Sequence, residues 1–209
     1  MSQVTGASTF ELLFVCTGNI CRSPMAERLA AAALASRLGA DAAQVLVHSA
    51  GTWGHEGSPM EPFALGTLAR LGVDDVSSSA FRARELTAEM VETADLVLVA
   101  SREHRAAVVT LVPRAATRTF TLREFGRLSR GVDAAGLPAG VAERGRALVS
   151  AAAGRRGLSP PGPEGDDLAD PYGAPARAFE HCAADIVDLL RAPLDLWAPG
   201  LGAARPSVP

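Results

Sequence analysis

The stretch Leu12 to Leu34, LLFVCTGNICRSPMAERLAAAAL, begins as an apolar run and ends as an alanine-rich helix, with a cysteine-bearing loop between them. Phe10, Leu12, Leu13, Phe14 and Val15 make a run of strand length, too short for a buried helix. Cys16-Thr-Gly-Asn-Ile-Cys21-Arg22-Ser23-Pro24 follows at once. The first N–H groups of a helix lack partners inside it, and the helix dipole places positive charge there, so a strand–loop–helix of this kind suits an anion. Gly18 and Asn19 tolerate the left-handed backbone that curls successive N–H groups inward. Pro24 fits the first helical position and Ser23 before it can cap.

The residue types in the loop add a chemistry. Arg22 closes a Cys-x5-Arg spacing, and a guanidinium grips two oxygens of a phosphate-like group at once. Cys16, beneath that anion and ringed by N–H donors, is in surroundings that favour a thiolate nucleophile. Ser23 can donate to the sulfur as it leaves again. A small core cysteine at a strand end is the plainer alternative.

CTGNICRSPMAERL resembles the phosphate-binding loop of the low-molecular-weight protein tyrosine phosphatases. Ser49-Ala-Gly-Thr52, Phe81-Arg82-Ala83-Arg84, Ala94 to Val99 and Asp170-Pro171-Tyr172 resemble further pieces of that family in the same order. The likeness spans most of 10–125 and again about 166–191. It implies a flavodoxin-like α/β fold: a doubly wound, four-stranded parallel sheet in the order 2-1-3-4 with helices on both faces. It also implies hydrolysis of phosphotyrosine through a cysteinyl-phosphate on Cys16, with Arg22 and the loop residues Thr17, Gly18, Asn19, Ile20, Cys21 and Ser23 holding the phosphate. No cofactor is implied, because Arg22 and the loop amides supply the positive field. Asp170 matches the family's general acid, which later activates water against the phospho-enzyme. Pro171 biases it toward an extended backbone. Asp166 and Asp167 stand nearby as rivals.

By the same resemblance, Cys21 forms a reversible disulfide with Cys16 against overoxidation, or else is a plain core residue. Asn19 and Ser49 brace the loop, or play a generic turn role. Trp53 and Tyr172 wall the cleft against an aromatic ring, or simply pack in surface loops. Cys182, in the last helix, reads as core. His48 and His55 read as structural, and the four histidines show no metal-ligand spacing. One departure stands out: where the family often carries an acidic residue shortly after the third strand, this chain reads Val99-Ala-Ser-Arg102.

Composition sets the frame. A chain of 209 residues with 48% hydrophobic and 21% charged residues is globular and most simply one domain. A net charge of −3 without a basic run argues against nucleic acid and anionic membranes. No apolar run approaches the roughly 20 residues of a membrane span. The N-terminal text has no export signal, and three cysteines make no disulfide framework, which points to the cytoplasm. Phosphotyrosine proteins, with a cognate tyrosine kinase, are the partners this reading implies.

Strands are expected at 10–15, 44–48, 95–100 and 118–121. Helices are expected at 24–38, 59–71, 86–92, from Ser101, to about Leu128, and at 174–191. Alternation of this kind means a parallel sheet with its ligand at the carboxyl ends of the strands. Cys16 falls there. The text from 126 to 167 is rich in Gly, Pro, Ala and Arg, with a helix at 141–153, and reads as an insertion: lid, docking surface or slack. The domain is then 10–197, with flexible ends at 1–9 and 198–209. Two rival functions share the loop. One is an arsenate reductase, which needs resolving thiols beyond Cys16; the other is a non-catalytic phosphate-binding module.

Overall fold

The computed structural model describes residues 9–73, 76–162 and 165–199; the expected flexible ends lie almost wholly outside these ranges. Four strands, β1 (Phe10–Cys16), β2 (Val45–Gly51), β3 (Leu96–Val99) and β4 (Thr119–Thr121), form one sheet in the order β2-β1-β3-β4. Every pairing is parallel, with Cys16 opposite Gly51 and Val15 opposite Val99. The helices are α1 (Arg22–Leu38), α2 (Pro62–Arg70), α3 (Val76–Ser79), α4 (Ala88–Thr93), α5 (Arg102–Leu111), α6 (Leu122–Ser129), α7 (Val141–Gly154) and α8 (Ala176–Trp197).

Strand period two divides the core between the two faces. Phe10, Leu12, Phe14 and Cys16 point into a large cluster with Met25 and Leu34 of α1, Leu68 of α2, Phe125 of α6, Leu148 of α7 and Phe179 of α8. Leu13, Val15, Val97 and Val99 face Val91 of α4 and Val108 of α5. Helices therefore cover both faces, as the reading of the sequence expects. Among the described residues no helix is long and apolar enough to cross a membrane.

The boundaries differ in instructive places. Helix α1 starts at Arg22, two residues before the expected Pro24, with Cys21 as its cap residue and no side-chain capping bond. The hydroxyl of Ser23 is therefore inside the first turn and turned toward the site. Thr87 and Ser101 do cap, accepting from Met90 N and His104 N. Helix α8 runs on past Arg191 to Trp197 despite Pro193, because Leu190, Leu194 and Trp197 continue its buried stripe.

The 126–167 stretch does not begin at an element boundary. Gly126 lies inside α6, where a Cβ would meet Leu189 O of α8 at 2.7 Å. Helix α7 is seated on the core: a Cβ on Gly145 would strike the Phe10 ring at 2.7 Å, and Phe10 stacks at 4.5 Å on Trp197. The indole N–H of Trp197 donates to Val141 O at 2.8 Å. The middle of the compositionally odd segment thus supports β1 from below, at the end of the strand remote from Cys16.

Candidate active site

Parallel β1 and β2 deliver Cys16 and Gly51 side by side at their carboxyl ends, and the two chains then stay together. Thr52 N donates to Cys16 O at 2.9 Å, Trp53 N to Thr17 O at 3.1 Å and His55 N to Gly18 O at 3.0 Å. This backbone stitching is tight enough that a Cβ on Gly51 would lie 2.4 Å from Thr17 O. It also places the Trp53 and His55 side chains over the loop.

Of the two residues expected to take left-handed backbone, only Asn19 does, with φ 54°. Gly18 is needed for space instead, since a Cβ there would meet His55 Cδ2 at 2.7 Å. Asn19 is wholly buried and uses its full amide. Its Nδ2 donates to Ser23 Oγ at 2.9 Å and to Ser49 Oγ at 2.8 Å, and its Oδ1 accepts from Arg84 N at 2.9 Å. Ser49 in turn donates to Glu27 Oε2 at 2.5 Å. Burial raises the Glu27 carboxyl above its ordinary range, against the opposing pull of the Ser49 bond and of Arg28 and Arg84. Asn19 and Ser49 therefore meet in one buried knot that holds the loop's curvature.

Cys16 Sγ lies 3.0 Å from Ser23 Oγ. Ser23 Oγ accepts from Asn19, and its one proton has two acceptors in reach, the sulfur at 3.0 Å and Ala50 O at 3.3 Å. Arg22 is buried, with Nη2 donating to Asp170 Oδ2 at 2.6 Å and Nη1 to Leu168 O at 3.4 Å. Its Nε is buried with no protein acceptor among the described residues, so an anion in the loop is its natural partner. Cys16, Thr17, Gly18, Ile20, Cys21, Arg22, Trp53, His55, Asp170 and Tyr172 line one cleft of about 170 Å³. Trp53 and Tyr172 form its outer walls and are 76% and 63% exposed. Cys21 is buried at the cleft floor, and burial together with the nearby Cys16 pushes its thiol up to about 12. Cys182 lies in the core, its thiol likewise raised to about 12 by burial. All three cysteines are free.

The rivals of Asp170 are committed elsewhere. Asp167 accepts from Arg102 Nη2 at 3.0 Å and Arg102 N at 2.7 Å, and these bonds hold its carboxyl below the usual range. Asp166 pairs with Arg127. Neither lines the cleft. Among the described residues no cluster of three or more His, Cys, Asp or Glu side chains is placed to hold a metal ion. His48 sits half-buried in β2, 4.0 Å from Glu11.

His104 was not singled out by the sequence, where it reads only as part of a polar helix start. It is buried, with Nε2 2.9 Å from Thr17 Oγ1 and Nδ1 2.7 Å from Ser101 Oγ. Hydrogen bonds at both ring nitrogens, one with Thr17 of the loop and one with Ser101 at the helix start, latch α5 to the loop. The available signal was the Ser-x-x-His spacing at a cap directly after a strand's carboxyl end. Burial lowers His104 below its ordinary 6.5, helped by Arg22 and opposed by Glu103, Asp170 and Asp167. As pH falls through 6.5, the unfolded chain takes up a proton that the folded site resists, so stability is lost. His48, lowered by burial and Arg84, acts in the same direction. Melting temperatures from about pH 7 to pH 5 are expected to fall less steeply for His104→Gln than for the parent. Equal slopes would refute the downward shift of His104.

With this geometry in hand, the relatives are informative. The family model described as low molecular weight phosphotyrosine protein phosphatase matches residues 11–138. The chain belongs to this family. A protein-arginine-phosphatase of Bacillus subtilis is 37% identical over 123 residues, 58% of this chain and 75% of that protein. The low molecular weight protein-tyrosine-phosphatase Etp of Escherichia coli K12 is 41% identical over 114 residues, 54% of this chain and 70% of that one. A crystal structure of a low molecular weight protein tyrosine phosphatase from T. tengcongensis superposes with a TM-score of 0.63 at 28% identity, covering 90% of this chain and 99% of that chain. The protein is thus a phosphatase-family hydrolase with the family's sheet order.

Proposed function

We propose that the protein is a protein tyrosine phosphatase that hydrolyses aryl phosphates through a phosphorylated Cys16. The observation that carries this reading is the convergence of Cys16, Arg22 and Asp170 on one cleft whose upper walls are apolar. The Arg22 guanidinium and the loop N–H groups take the phosphoryl oxygens, while Cys16 Sγ attacks phosphorus in line with the ester bond. The P–O bond breaks as the S–P bond forms, and Asp170 gives its proton to the departing phenolic oxygen. Asp170 then takes a proton from water, which attacks the cysteinyl-phosphate. Ser23 Oγ, 3.0 Å from the sulfur, stabilises the thiolate that leaves. Cys21, in the same cleft, is the partner in this reading for a protective disulfide with Cys16.

The substrate side rests on Ile20, Trp53 and Tyr172, which offer a phenyl ring apolar and π-faced walls. A phosphoarginine would instead need acceptors for its guanidinium, and Asp170 is the cleft's one carboxylate among the described residues. Phosphotyrosine proteins, with a tyrosine kinase acting on the same targets, are the partners this implies, in a reducing cytoplasm and without nucleic acid or membrane insertion. Arsenate reduction is disfavoured because the remaining thiol, Cys182, is buried in the core and does not line the cleft with Cys16. Kinetics on matched phosphotyrosine and phosphoarginine peptides decide the question. We expect kcat/KM for phosphotyrosine to be higher by roughly 100-fold or more, the discrimination a shaped apolar slot with one acid gives. A preference for phosphoarginine would overturn the substrate class, and no turnover of either would leave a binding module.

A further inference from the structure

Asp170 sits at the end of a short run in which Asp166, Asp167 and Leu168 are separately tied down. Asp166 pairs with Arg127 of α6 through both oxygens, and Arg127 Nε also donates to Ser159 O at 3.0 Å. Asp167 accepts from the backbone N–H of Arg102 at 2.7 Å and from its Nε and Nη2 at 3.2 and 3.0 Å. The carbonyl of Asp167 accepts from Arg123 Nε at 3.2 Å. Leu168 is buried and donates its N–H to Ala100 O at 2.8 Å, just past β3. Its carbonyl accepts from Arg22, which also holds Asp170. A single residue, Ala169, separates this pivot from the carboxylate that faces the cleft.

We propose that Arg102, with Arg127 behind it, is a positioning residue for Asp170: the arginine clasp on Asp167 and Asp166 sets where the acid meets the leaving oxygen. The inference rests on Asp170 being the general acid. Its logic is geometric. A planar fork on one carboxylate, joined by a backbone N–H at the start of α5, fixes direction as well as distance. An exposed pair of this kind contributes little to folding, whereas a displacement of about 1 Å at a reacting group has a large effect on rate. Shortly after the third strand, where the family resemblance leads one to expect an acidic residue, this chain carries Ala100-Ser101-Arg102. Here the acidic partner is supplied by the strap instead, so that the end of β3 and the acid loop are joined across the sheet.

The test exploits the leaving group. Proton donation matters little for para-nitrophenol, a stable anion, and much for phenol. We expect Arg102→Leu to keep the parent's melting temperature within about 2 °C. It should lose roughly tenfold in kcat/KM on phenyl phosphate and less than about twofold on para-nitrophenyl phosphate. Arg102→Lys, which keeps charge without the fork, should fall between. Placed on Asp170→Ala, Arg102→Leu should cost nothing further, because there is no acid left to aim. Arg70→Leu, which breaks a pair with Glu180 between α2 and α8, is the control and should match the parent. An equal loss on both esters, no loss on either, or an additional loss on Asp170→Ala would overturn the clasp. If Asp170→Ala itself showed no dependence on the leaving group, the acid assignment would fall first.

Discussion

Cys16→Ser is expected to lose at least about 10⁴-fold in turnover of para-nitrophenyl phosphate while keeping its fold and its affinity for phosphate. The substitution is close to isosteric at a buried strand end, and Ser23 Oγ, Asn19 and Arg22 remain to hold the loop. What disappears is the nucleophile. A neutral serine hydroxyl is a far weaker nucleophile than a cysteine thiolate, and Asp170 reaches the leaving oxygen and water rather than the residue at 16. Inhibition of the parent and retained binding in the variant by inorganic phosphate or vanadate, measured together, separate loss of chemistry from loss of site. Residual turnover within about 100-fold of the parent would mean that Cys16 does not carry the phosphoryl group.

Asp170→Ala is expected to lower kcat by about 10²–10³-fold, the usual worth of a positioned general acid. The structure adds a second, opposite effect. Asp170 Oδ2 holds Arg22 Nη2 at 2.6 Å, so a bound phosphate must compete with that carboxylate for the guanidinium and must also approach its charge. Removing the carboxylate frees Arg22. Inorganic phosphate should therefore inhibit Asp170→Ala more strongly than it inhibits the parent, and KM should fall along with kcat. A fall in kcat with weaker phosphate inhibition would argue that Asp170 helps to seat Arg22 rather than to move protons.

Much of this was legible in the chain. The strand–loop–helix around Cys16 announces itself because a short apolar run, a Cys-x5-Arg spacing and an alanine-rich helix follow one another without a break. The parallel order follows from alternation. The start of α1 lies two residues before the position that proline's preference for the first turn indicates, because that preference is local. Arg22 is drawn into the helix by the buried loop, which leaves Ser23 facing sulfur rather than capping. Gly18 suggests backbone freedom in the sequence, but its role depends on His55, a residue 37 positions away whose approach no local pattern encodes. The His104 latch and the arginine clasp were invisible for the same reason. Each is an ordinary polar residue until β3, α5 and the 166–170 run are brought to one end of the sheet.

The buried Asn19 knot bears on how the protein meets its ligand. With the left-handed turn already fixed by Ser23, Ser49 and Arg84, the proposed phosphate cradle is set before any anion arrives. Association then orders almost no chain and buries little apolar surface. Its heat-capacity change should be small, and its strength should track ionic strength rather than temperature. In the proposed reaction the loop would act as a rigid electrode, and selectivity among phosphoesters would fall to the exposed rim of Trp53 and Tyr172 above it.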